Sequence, residues 1–237
     1  MDVVYMVRED DRNPELRTSL RSLTNLRHDR VWIAGHRPAW VAGVEHLPVE
    51  QDGVKHENTW AIWRAIAGCP DISDEFVMLH DDMFVLQPLG RVPALHAGPL
   101  DLWLAGLRPE SPTARRMRDT QEALTALGRR DLLSWELHVP MVMDRRWLAE
   151  MVAFVDHRRA RLGGDPPCKR TMYAGYAGLT GGVEAADCKI RDKTSVPARG
   201  DLFASTLDGT FRYGQAGRWL RDRFPARSVY EAERVAA

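Results

Sequence analysis

The stretch Phe76-Val77-Met78-Leu79-His80-Asp81-Asp82 constrains this chain more than any other. Four consecutive apolar residues describe a strand buried on both faces, and two carboxylates directly after it have to meet solvent, a turn or a ligand. The same grammar recurs upstream. Asp2-Val3-Val4-Tyr5-Met6-Val7 is a short buried run that empties into the charged cluster Arg8-Glu9-Asp10-Asp11-Arg12, and Val31-Trp32-Ile33-Ala34 closes at Gly35. Val44 to Val49 is a further strand candidate. Between these runs Asn13 is placed to cap a helix with Pro14 at its first position, and Leu16, Leu20, Leu23 and Leu26 recur along one face. Asn58 reads as the cap of a second helix through Ala67. Strands alternating with helices argue an α/β fold with crossover connections, in which ligands gather outside the carboxyl ends of the strands. That rule draws Tyr5 to Arg8, Gly35 and the Asp81-Asp82 pair towards one crevice.

Beyond about residue 108 the composition shifts. Arg108, Arg115, Arg116, Arg118, Arg129 and Arg130 surround a helix-like stretch after Pro112. Glu110, Asp119 and Glu122 are interleaved with them, so this reads as a solvated helix face, with a surface for acidic acceptors as the minority alternative. Trp135 to Met143 reads as extended, Asp144 as the cap of a helix carrying Trp147, Leu148, Met151 and Val155, and Gly163-Gly164-Asp165-Pro166-Pro167 as its breaker. The small-residue run from Tyr173 to Gly182 reads as loops. No linker long enough to demand a second domain interrupts the 237 residues.

The 33 Lys and Arg balance 33 Asp and Glu, which removes the basic field that nucleic-acid binders and polybasic membrane anchors depend on. Cys69, Cys168 and Cys188 form no CxxC pair and cannot all pair with one another, which points to a reducing, cytoplasmic compartment and away from structural zinc. No apolar run approaches the ~18 residues that span a bilayer.

Two carboxylates fixed at a strand end can hold a hard divalent cation that also takes phosphate oxygens, the charge neutralisation that a diphosphate leaving group requires. Adjacent acids can equally well solvate a turn. What surrounds them favours function. Tyr5, Glu15 to Leu23, Val31 to Gly35, Pro38-Ala39-Trp40, Asn58 and Ser73 to Phe84 resemble, in order and spacing, the first two conserved regions of the Stealth-type sugar-phosphate transferases, and also the glycosyltransferases of actinobacteriophages. The resemblance covers the first 90 residues well. It continues more weakly in Glu136-Leu137-His138-Val139-Pro140 and in Phe224-Pro225-Ala226-Arg227-Ser228-Val229-Tyr230-Glu231. Two departures stand out: His80 occupies the place of a common Asn, and the first strand lacks a Trp-Val-Asp-Gly signature. The second favours plain glycosyl transfer over phosphoryl-sugar transfer.

The resemblance implies a GT-A-like, Rossmann-like mixed sheet flanked by helices with a smaller C-terminal acceptor-side region. As a single domain, 1–237 would then divide into a nucleotide-sugar-binding half, 1–107, and an acceptor and catalytic half, 108–237. It implies nucleotide-sugar contacts from Tyr5, Arg8, Arg17, Asp52, Lys55, Asn58 and Asp81, and a Mn²⁺ or Mg²⁺ ion on Asp82, Asp81 and His138. Glu136 and His138 would be the catalytic pair, one of them accepting the proton of an acceptor hydroxyl. Asp187 and Lys189 are further candidates for acceptor or phosphate contacts. For several of these a bland reading stands alongside: Asn58 as a helix cap, Arg17 as a solvated helix residue, Glu136 as a surface acid. Trp40, Trp60, Trp63 and Trp103 either stack on a sugar or base or pack in the core. The expected function is metal-dependent transfer of a sugar from a nucleotide-sugar, UDP-linked for preference, to a hydroxyl on a phage virion protein or a glycan. Its rivals are Stealth-like sugar-1-phosphate transfer and a noncatalytic module that binds a nucleotide or a protein.

Overall fold

A computed structural model describes residues 1–232. Its elements run β1 (Asp2–Val7), α1 (Pro14–Ser22), β2 (Val31–Gly35), β3 (Glu45–Leu47), α2 (Lys55–Gly68), β4 (Glu75–His80), β5 (Met83–Val85), β6 (Leu95–His96), α3 (Leu100–Ala105), α4 (Pro112–Ala126), β7 (Met141–Asp144), α5 (Arg145–Leu162), α6 (Lys169–Ala177), β8 (Val183–Glu184), β9 (Lys189–Ile190), β10 (Phe203–Thr206), α7 (Asp208–Tyr213) and α8 (Gln215–Arg223). Five strands form the main sheet in the order β3-β2-β1-β4-β7. Four are parallel, and β7 runs antiparallel to β4 along the far edge. The fold is therefore α/β with a mixed sheet flanked by helices.

Period-two alternation along β1 divides the core. Val4 and Met6 face a cluster with Trp60, Trp63 and Ile66 of α2, Leu148 and Met151 of α5, and Tyr173 of α6. Val3, Tyr5 and Val7 face the other way, onto Leu16 and Leu20 of α1. Asn13 caps α1 as the sequence suggests, its side chain accepting from the Leu16 amide at 3.0 Å. Asp144 likewise accepts from the Arg146 and Trp147 amides to start α5, which stops at Gly163 with φ 72°. Three expectations need correction. Asn58 is not a cap: α2 begins three residues earlier at Lys55, and the Asn58 side chain accepts from the Gly53 amide at 2.8 Å. Within the extended stretch from Trp135 only residues from Met141 onward join the sheet. The first part of the small-residue run is helix α6, because Gly175 lets it approach α4, where an added Cβ would lie 2.5 Å from Leu124 Cδ1.

A second, three-stranded sheet, β5-β10-β9, abuts the main one at the end of β4. Phe84, Leu86, Ala204, Phe211 and Leu220 form its own small core with α7 and α8. Ser205 of β10 is opposite both Met83 of β5 and Lys189 of β9. That register carries a lysine from the last third of the chain to the acidic turn after β4.

Candidate functional site

The strand order reverses between β1 and β4, so their carboxyl ends diverge and leave a crevice. A cleft of about 410 Å³ occupies it. Arg8 lines it from the end of β1, His80, Asp81 and Asp82 from the end of β4, Lys55 and Asn58 from the first turn of α2, and Glu15, Lys189, Thr206 and Asp208 from farther along the chain.

Five carboxylates, Glu9, Glu15, Asp81, Asp82 and Asp208, meet three cations, Arg8, Lys55 and Lys189, there. Asp81 is buried, and its Oδ2 accepts from Asn13 Nδ2 at 2.8 Å with Arg8 Nε 3.7 Å away. Asn13 thus spends its carbonyl on the helix and its amide on the acidic pair. Burial and the neighbouring Asp82 raise the Asp81 pKa against the pull of Arg8. Glu15 is 1% exposed, accepts from Thr206 Oγ1 at 2.7 Å and from Arg8 at 3.2 Å, and is pushed up to about 7 by burial and by both aspartates. Burial acts to raise Asp82 as well, but Lys189 Nζ, 2.5 Å from its Oδ2, holds it below the ordinary carboxylate value. The other oxygen, Asp82 Oδ1, is buried and has no hydrogen-bond partner among the described residues. His80 is pushed down to about 3 by burial and by the charge of Arg170, so it is a neutral imidazole at pH 7.

His138 lies near enough to His80 and Asp82 to act on both electrostatically. Its Nδ1 sits 3.1 Å from both oxygens of Asp187, which also accepts from the His138 amide at 3.0 Å. Burial would raise Asp187, but these bonds and Arg191 take it far below the usual range. A carboxylate on Nδ1 leaves Nε2 as the basic nitrogen, the arrangement of an oriented general base.

The remaining sequence candidates lie elsewhere. Tyr5 is fully buried, its hydroxyl bonded to Ser19 Oγ at 2.8 Å, because its position in β1 faces α1 rather than the strand end. Arg17 lies over the Trp40 ring at 4.2 Å and pairs with Glu231 at 3.4 Å, away from the cleft. Asp52 is exposed, and its neighbour Gln51 lines the cleft instead. Glu136 accepts from the Thr171 amide at 3.1 Å and so caps α6. Trp60 and Trp63 are core residues. Sequence reasoning gave no role to Glu15, Thr206 or Asp208 and read Asn13 only as a cap. For Asn13 and Glu15 the nearby strand end was a usable signal, whereas nothing local ties residues 206–208 to residue 82.

A divalent cation fits this cleft in one manner. Among the described residues no group of three or more His, Cys, Asp and Glu side chains could hold a metal. The orphaned Oδ1 of Asp82, with Asp81 beside it, is what the protein offers. One or two carboxylates, with substrate phosphates and water as the other ligands, is how Mg²⁺ is ordinarily held in phosphate sites.

The architecture has counterparts among solved structures. An active-site mutant of LgtC superposes with a TM-score of 0.51 at 12% identity, covering 97% of this chain and 98% of that one. The chain has a GT-A-type fold. Galactosyltransferase LgtC in complex with donor and acceptor sugar analogs also matches, with a TM-score of 0.45 at 13% identity over 74% of this chain and 70% of that one. So does the glycosyltransferase GlyE of Streptococcus pneumoniae TIGR4, with a TM-score of 0.39 at 9% identity, of which the matched part spans 45%. No model of a known protein family matches the sequence, and no curated protein does. Among the described residues no helix is long and apolar enough to cross a membrane.

Proposed function

We propose that this protein is a cytoplasmic glycosyltransferase that moves a sugar from a nucleotide-sugar, UDP-linked for preference, to a hydroxyl on a protein or glycan. The observation that carries the reading is the cleft at the strand-order reversal, where Asp81 and Asp82 face Arg8, Lys55 and Lys189. A GT-A-type fold supports the class of chemistry by analogy.

On this reading residues 1–107 supply most of the donor site and 108–237 the acceptor side, with Lys189 reaching across. Arg8 and Lys55 take phosphate oxygens, Arg8 through its two-pronged guanidinium. Asn58 and Asp81 face the ribose. Asp82, with Asp81 beside it, would hold Mn²⁺ or Mg²⁺, which when bound neutralises charge on the departing diphosphate. His138, oriented by Asp187, accepts the acceptor hydroxyl proton at Nε2 as that oxygen attacks the anomeric carbon and the bond to the nucleoside diphosphate breaks. Glu136 acts at one remove, by fixing the start of α6. Positioning and charge placement supply most of the rate enhancement.

The test is calorimetric titration of UDP with and without Mn²⁺, with GDP as the control nucleotide, on the wild type and Asp82→Ala. UDP binding that Mn²⁺ strengthens, with the strengthening lost in Asp82→Ala, is the expected result, and screening UDP-sugars then reads the product. Released UDP means glycosyl transfer, whereas UMP means the sugar-1-phosphate transfer of the Stealth-type alternative. A folded protein that binds neither nucleotide refutes the donor site and leaves a noncatalytic module.

A further inference from the structure

The lysine bound to Asp82 occupies half of the carboxylate that the donor-site reading needs. Lys189 is 6% exposed at its side chain, and its ammonium sits 2.5 Å from Asp82 Oδ2 and 3.2 Å from Ser205 Oγ. The register of β9 on β10 fixes it there, so it is built into the second sheet rather than draped over the cleft. A buried ammonium with a single carboxylate partner is held by that pairing, and the carboxylate in turn has only its Oδ1 left over.

We propose that Lys189 is an internal counter-cation that keeps Asp82 from taking up a divalent ion until the nucleotide diphosphate arrives. The inference rests on the donor-site reading above and adds a binding order to it. Without nucleotide, a metal approaching Oδ1 meets a unit positive charge across the same buried carboxylate, and repulsion between cations a few ångströms apart there is substantial. A diphosphate brings negative oxygens to the cleft that Lys189 lines. The ammonium then exchanges one anion for another, and Asp82 is freed on both oxygens. Metal and nucleotide each raise the other's affinity by the same factor, as linkage requires, and Lys189 supplies part of that factor. Because the ammonium ends on the diphosphate, it also stabilises the leaving group.

The experiment measures Mn²⁺ binding, by the electron paramagnetic resonance of the free ion, in the absence and presence of UDP, for the wild type, Lys189→Met and Lys189→Arg. Lys189→Met is expected to bind Mn²⁺ roughly tenfold or more tightly without nucleotide, and to bind UDP more weakly in the presence of Mn²⁺. Its coupling factor between the two ligands should fall accordingly. Lys189→Arg, which keeps the charge, should stay close to the wild type. If Lys189→Met does not fold, Lys189→Gln reads the same quantity while keeping a hydrogen-bond donor to Asp82. Unchanged or weaker Mn²⁺ binding by the neutral variant, with a wild type that binds UDP and Mn²⁺ together, overturns this inference and leaves the donor site standing. A wild type that binds neither ligand overturns the donor site, and the inference with it.

Discussion

His80 gives the sharpest quantitative expectation. Its imidazole stands at the end of β4, between the acidic pair and Arg170, a buried arginine whose guanidinium donates to the Val139 carbonyl at 2.6 Å and to Met83 Sδ at 3.7 Å. Arg170 forms no contact ion pair among the described residues, and Glu136, Asp82 and Asp187 oppose its charge from a distance. Burial first and Arg170 second push His80 from 6.5 down to about 3. The unfolded chain binds a proton at this position below 6.5 and the folded chain does not, so stability rises with pH between about 3 and 6.5 and is fully present above it. At pH 4.5, two units below the ordinary value, the penalty at about 1.4 kcal/mol per unit comes to about 2.7 kcal/mol, an upper figure because the ring reaches the cleft. His80→Asn abolishes this dependence at a packing cost that is the same at every pH. Urea denaturation of both proteins at pH 7 and pH 4.5 measures it: relative to the wild type, the variant should gain about 1–2.7 kcal/mol on acidification. A stability difference that does not move with pH would refute the neutral, half-buried imidazole. A gain as large at pH 7 as at pH 4.5 would point to relieved packing instead.

Further expectations concern the base, the sheet and the second core. Asp187→Asn should lower kcat about a hundredfold with little change in KM for the donor. The double variant with His138→Gln should be no slower than the worse single one in steady-state kinetics, because the two side chains act as a unit. Asp2 is 2% exposed and holds three neighbours together, accepting from the Trp32 indole at 3.0 Å, the Ser73 amide at 3.0 Å and Arg30 at 2.7 Å. Burial acts to raise its pKa, but these donors leave it lowered, so its contribution is present above about pH 4 and lost as pH falls further. Asp2→Ala strands the buried Trp32 indole and the half-buried Ser73 amide and should cost about 2–5 kcal/mol at pH 7 in denaturant unfolding, with the gap to the wild type closing in acid. Gly217→Ala would place a methyl 1.7 Å from the Phe211 carbonyl, where α8 crosses α7, and should lower the melting temperature through an overpacking cost of about 1–3 kcal/mol or more.

What the sequence made legible follows the range of the forces involved. β1, α1, β2, β4 and α5 are specified by local patterns: apolar runs, an Asn-Pro start and an Asp cap. They lie where those patterns put them. Helix α6 was hidden because its glycine is justified only by Leu124, some fifty residues away, and a contact of that kind leaves no local mark. The second sheet was hidden for the same reason. Its strands are two to four residues long, and β5 pairs with β10 across more than a hundred residues. Within the site, Arg8, Asp81 and Asp82 were accessible from the crevice rule alone. Tyr5 lies one residue too deep in the strand for that rule, and alternation assigns it to the α1 face.

The division between legible and hidden residues follows the division of labour in the cleft. The carboxylates Asp81 and Asp82 and the cation Arg8 come from strand ends that any sheet of this order would bring together. Glu15, Lys189 and Thr206 are added from α1 and the second sheet, and they set the charge state of that core. Glu15 and Thr206 bond to each other, Arg8 bridges Glu15 and Asp81, and Lys189 answers Asp82. A cleft with two acids alone would repel its own ligands until a cation arrived. In this protein the cations are already part of the fold, so an incoming diphosphate meets Arg8, Lys55 and Lys189 before any metal is needed. The consequence is testable without a substrate: UDP should retain measurable affinity in the presence of a chelator, weakened about tenfold or more by Arg8→Gln through loss of a two-pronged phosphate contact. Complete loss of UDP binding on chelation would mean that the built-in cations serve the carboxylates alone.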